Sequence, residues 1–171
     1  MPAQLSPTDD VDDLPTALPY LGWWVRGTLL LIVGGLVTVF TIAVLLNPYN
    51  PDGTPRTMGT HTGPPLYLPD CTFKTMTGGL PCPSCGMTTS FSLLMHGDPL
   101  NSLRANWVGT GLALLCLALI PWAVASVWLK RPLFLVSLER AAAVSVVGFF
   151  VIMLLRWGIV LLLIWWERHY S

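Results

Sequence analysis

The chain has 171 residues, and its nine basic and nine acidic side chains give a formal net charge of zero. Hydrophobic residues make up 53% and charged residues 11%, against about 25% charged in an average soluble domain. That balance excludes a disordered chain and the basic footprint of a nucleic-acid binder, and it argues against a soluble globule.

Residues 1–21 carry Asp9, Asp10, Asp12 and Asp13 among Pro2, Pro7, Pro15 and Pro19. They read as a flexible acidic tail, not as the basic leader of a cleaved signal peptide. Three apolar runs follow, at 27–46, 107–129 and 141–166; the first two are free of charge and the third contains only Arg156. Each matches the roughly 20 residues that cross a hydrocarbon layer about 30 Å thick. In lipid such isolated runs must be helices, because every backbone N–H and C=O needs an internal partner. The expected fold is therefore an all-α membrane protein. It has three transmembrane helices, at 22–46, 105–129 and 141–166, and a Pro/Gly-rich, cysteine-containing cap at 47–104. Trp23, Trp24, Trp107, Trp128, Trp165 and Trp166 stand at the ends of the runs, where headgroup-level anchors belong. The connection 130–140 carries Lys130, Arg131 and Arg140, and Arg26 precedes the first span. By the positive-inside rule the N-terminus and this basic loop face the cytoplasm of a cell-membrane protein. The cap and the tail 167–171 then lie outside.

The cap divides in two. From 48 to 70, six prolines and three glycines leave neither a helical nor a strand period. Leu66, Tyr67 and Leu68 suggest that this part is an ordered cover over the helix ends. From Cys71 the chain reads CTFKTMTGGLPCPSCGMTTSF. Gly78, Gly79 and Pro81 set a turn before Cys82-x-x-Cys85. Met87, Phe91, Leu94 and Met95 then form one stripe of a short amphipathic helix over 86–96. Gly97 closes it. Asp98 and Pro99 offer an N-cap and a first-turn proline for a helix in which Leu100–Arg104 runs straight into the second span, bent at Pro121.

Three readings of the cysteines stand at this level. One is a non-enzymatic membrane module whose cap is stapled by a disulfide among Cys71, Cys82 and Cys85, as an oxidising exterior permits. It would support a membrane or envelope partner. The second is a thiol–disulfide oxidoreductase in which Cys82 and Cys85, with Cys71 as a third redox candidate, pass electrons to a lipid-soluble quinone. A Cys-x-x-Cys pair at a helix start favours a thiolate, although no βαβ unit surrounds this one. The third is a metal or small-ligand site from Cys71, Cys82 and Cys85 with His96 or His61, although capping of the short helix also explains His96. Cys116 reads as a small residue packed in a span. No P-loop, nucleophile elbow or zincin motif is present, and no cofactor is expected.

The stretch from Cys71 to Gly109 resembles the bacterial domain-of-unknown-function 2752 family. Those proteins are small membrane proteins with a C-P-x-C-G-x-T signature, a Leu-Leu-x-Gly-Asp turn and an asparagine near the next span. Cys71, Cys82, Pro83, Cys85, Gly86, Thr88, Gly97, Asp98 and Asn106 fit that pattern, and Thr89 stands where an arginine is expected. The resemblance implies a membrane location and no particular activity. Arg156 admits two readings. It can snorkel to the outer headgroups, or turn inward beneath the cap to meet Asp70, Asp98, a backbone carbonyl or an anion.

Overall fold

The structure is a computed structural model that describes residues 21–130 and 138–170. The acidic tail up to residue 20 and most of the basic loop lie outside the described residues. Among the described residues the secondary structure is helical, without strands. The order is α1 (Trp23–Leu45), a 3-10 turn (Thr60–Thr62), α2 (Thr72–Met76), α3 (Met87–Met95), α4 (Pro99–Leu129) and α5 (Leu138–Tyr170). Helices α1, α4 and α5 are each long and apolar enough to cross a membrane. At 1.5 Å per residue, the 23 residues of α1 extend about 34 Å, close to the thickness of the hydrocarbon core. The 33 residues of α5 extend about 50 Å, so α5 outruns that core.

Helix α4 is the centre. It packs against α1, α3 and α5, meeting α1 and α3 through two apolar layers. Leu21, Leu29 and Ala123 form one, at the end where Leu21 N donates to Lys130 O. Phe40, Ala43, Phe91 and Ala113 form the other, with the rings of Phe40 and Phe91 stacked at 5.7 Å. Trp23, Trp24 and Trp128 are exposed at the first end, as the anchoring role requires.

The second layer lies under α3. There the protein buries hydroxyls and an amide: Thr60, Thr89, Ser90, Ser92, Ser102, Asn106 and Thr110. A buried polar group costs about 1–3 kcal/mol if left unpaired, and these are paired. Ser92 Oγ donates to Leu46 O at 2.7 Å and Ser102 Oγ to Ser90 O at 2.7 Å. Thr60 Oγ1 donates to Thr89 Oγ1 at 2.8 Å. The connecting segment is thus tied down by Thr60, whereas Tyr67 and Leu68 are exposed. Small residues let the backbones close in, as between membrane helices. A Cβ on Gly109 would lie 2.5 Å from Ser90 Oγ.

Helix α3 ends as its sequence suggests. Gly97 is left-handed (φ 78°), and Asp98 N donates to Leu93 O and Gly97 N to Leu94 O, a Schellman stop. Asp98 then caps α4 by accepting from Asn101 N at 3.2 Å. The expected straight run into the second span is not what forms. Asn106 is extended (φ −161°, ψ 98°) and splits α4 in two, whereas Pro121 lies inside the helix with its dihedrals helical. The reason is a second N-cap, since Asn106 Oδ1 accepts from Gly109 N at 3.0 Å, three residues on.

Candidate functional site: three thiols at the end of the spans

Gly86 has a left-handed φ of 83°, and a Cβ there would meet Ala105 O at 2.7 Å and Thr57 O at 3.0 Å. The turn that carries Cys82 and Cys85 therefore presses directly on the break in α4. Asn106 fastens it, donating from Nδ2 to Cys85 O at 3.1 Å. One side chain thus starts the span and holds the cysteine turn.

The turn folds Cys82 and Cys85 onto each other, with their Sγ atoms 3.1 Å apart. Cys82 N donates to Cys85 Sγ at 3.1 Å, and Cys82 Sγ lies 3.3 Å from Ser84 Oγ. Cys71, at the start of α2, brings a third sulfur, and all three Sγ atoms lie within 4.8 Å of one another. All four cysteines of the chain are free thiols. The expected staple is therefore absent from this structure, since a disulfide requires about 2.05 Å between sulfurs.

The two thiols of the pair differ. Burial pushes the Cys82 thiol up, but hydrogen bonds with Ser84, Cys85 and Cys71 outweigh it and hold the group below its ordinary value. Burial and the adjoining Cys82 and Cys71 sulfurs push Cys85 up to about 12. Cys82 is thus the thiolate-forming member and Cys85 the protonated one.

Arg156 is half-buried and donates from Nη2 to Ala105 O at 3.3 Å, beside the break at Asn106. It is close enough to Cys85 to interact with it electrostatically. Of the two readings of Arg156, the geometry is the inward one, with a backbone carbonyl as its partner. Next to it Trp157 Nε1 donates to Pro81 O at 2.9 Å, and its ring meets Phe73 edge-on at 6.1 Å. Trp157 escapes a sequence reading that treats tryptophans as anchors. Its position, within the third run and not at its end, was the available signal. Also legible only in retrospect is the row Asn106, Gly109, Thr110 and Ala113, a small and polar face at the start of an otherwise apolar span.

His96 does not join the sulfurs. It is exposed at the end of α3, where its Nδ1 lies 2.8 Å from Ser92 O, in keeping with capping. Asp98 serves as the cap described above. Thr88 lines a cavity of about 550 Å³ that the three cysteines share with His61, Asp70 and Lys74. Thr89, at the position where the motif has arginine, is fully buried against Thr60. As a metal centre the cluster offers three thiolates, suited to a soft ion. Among the described residues no further His, Cys, Asp or Glu completes the group.

These features define a small helical membrane protein with three candidate spans and a three-thiol centre between the first two. Residues 71–120 match the family described as "Protein of unknown function (DUF2752)", which supports the resemblance read from the cysteine motif. The match takes in α2, the cysteine turn, α3 and α4 as far as Ile120; α1 and α5 lie outside it. No curated protein and no solved structure matches the chain.

Proposed function

We propose that the protein is a membrane thiol–disulfide oxidoreductase in which Cys82 and Cys85 are the redox pair and Cys71 an auxiliary thiol. The observation that carries this reading is the convergence of three free thiols on the wall of one cavity. A structural clamp has no use for a third sulfur or for access, whereas exchange requires both a poised pair and an approach. Closing the pair to a disulfide needs a movement of about 1 Å from the present 3.1 Å separation. The unequal thiols suit the chemistry, because a thiolate is the attacking and the better leaving group. In the oxidised protein, a partner thiolate attacks Cys85 of the Cys82–Cys85 disulfide and releases the Cys82 thiolate. The partner's second thiolate then attacks its own mixed-disulfide sulfur and frees Cys85. The partner leaves with a disulfide, and its two electrons stay on the pair. Orientation with the thiols outside and the N-terminus in the cytoplasm belongs to this reading.

A redox titration of the purified protein, with mass spectrometry after alkylation, tests it. The expected result is a reversible Cys82–Cys85 bond at a potential well above the roughly −300 mV of structural disulfides. A bond at or below that value supports the staple. The metal reading draws on the same three sulfurs; one equivalent of zinc that shields all of them from alkylation would establish it instead.

A further inference from the structure

We propose that the cavity beside the cysteines binds a lipid-soluble quinone, the oxidant that returns the Cys82–Cys85 dithiol to a disulfide. This rests on the redox reading above and names its electron acceptor. The cavity has two unlike sets of lining residues. The three cysteines line it with His61, Asp70 and Lys74, and Val39, Ile42, Ala43 and Leu46 of α1 with Phe91 of α3 supply apolar surface. Val39, Ile42 and Ala43 belong to a candidate membrane span, and Leu46 follows it directly. Val39 lies six residues before the end of α1, about 9 Å along the helix axis, and it is 46% exposed. A molecule dissolved in the hydrocarbon can therefore reach the cavity past Val39 without passing through water.

A volume of about 550 Å³ is in the range of small-molecule sites and accommodates a quinone ring with the first part of its tail. Lys74 has three donors and directs one to Met58 Sδ, a weak acceptor, at 3.7 Å. It lines the same cavity as the cysteines, where its ammonium can donate to a quinone carbonyl oxygen. The reaction balances within the site. The dithiol loses two electrons and two protons as the S–S bond forms, and the quinone takes up both, its two carbonyl oxygens becoming the hydroxyls of the quinol. A phospholipid acyl chain would fill the apolar part but could accept no electrons.

The test uses the full chain, reduced, in lipid nanodiscs. With decyl-substituted benzoquinone the expected result is quinol formation together with a Cys82–Cys85 disulfide. Val39→Trp, at the lipid-facing mouth, should slow quinol formation tenfold or more. Its redox potential and its exchange with glutathione should stay as in the parent. Equal rates in parent and variant would overturn the quinone site. Should Val39→Trp not fold, a photoactivatable azido-quinone on the unaltered protein decides. Labelling of the α1 and α3 segments around Ile42 and Phe91, competed by the decyl quinone, supports the site. Labelling elsewhere, or none, overturns it. A chain that forms no reversible disulfide in glutathione buffers fails earlier, at the redox reading itself, and takes this proposal with it. A chain that cycles with glutathione but not with quinone overturns only the quinone site.

Discussion

Asn106 carries two jobs that substitution can separate. Its Oδ1 caps the main part of α4 and its Nδ2 holds the Cys85 carbonyl. Asn106→Ala should cost about 1–3 kcal/mol, the scale of a lost cap plus a partly buried carbonyl left without its donor, read as a lower unfolding temperature in detergent. Asn106→Asp keeps an acceptor for Gly109 N but cannot donate to Cys85, so it should preserve more stability while loosening the cysteine turn. Equal effects from both would show that the amide donor holds nothing. The thiols give a pH prediction at the same scale. Cys82 is held below the ordinary thiol value and Cys85 is raised to about 12. As pH rises, Cys82 should therefore become alkylated before a free thiol does, and Cys85 well after one. Peptide mapping of a timed iodoacetamide reaction across pH checks the order; Cys85 reacting first would contradict the asymmetry.

Helix α5 is an element held at few points. None of residues 140–170 is buried, and its described polar ties to the rest run through Arg156 to Ala105 O and Trp157 to Pro81 O. An arginine snorkelling to headgroups would be indifferent to Arg156→Leu, or the protein would gain stability. The observed geometry predicts a loss of about 1–3 kcal/mol, because a carbonyl beside the α4 break loses its donor. Trp157→Phe, which keeps a ring against Phe73, should cost about 0.5–1.5 kcal/mol. Thermal unfolding of the two variants measures both, and a neutral Arg156→Leu would mean that α5 is not anchored there. The helices themselves were legible, because an apolar run in lipid has one solution. The break at Asn106 was not legible. It depends on Cys85 O and Gly109 N converging on one amide, and no local propensity records that.

For the whole molecule, the fold class could be read from composition and periodicity. The cluster could be read only in part, since spacing joins Cys82 to Cys85 but nothing in the sequence places Cys71 beside them or sends His96 elsewhere. Orientation is a prediction at this scale. A reporter active only outside the cytoplasm should give signal when fused at Ser171 and none near Lys130; the reverse pattern would invert the molecule. The hydroxyl-lined seam beneath α3 has a consequence for biogenesis. The cysteine turn and α3 are seated on groups from three spans: Leu46 O at the end of α1, Asn106 in α4 and Trp157 in α5. During synthesis the three cysteines emerge before the second of these is in place. The thiol centre therefore gains its full set of supports only after α4 and α5 have inserted, so the site matures after the spans and not with the first of them.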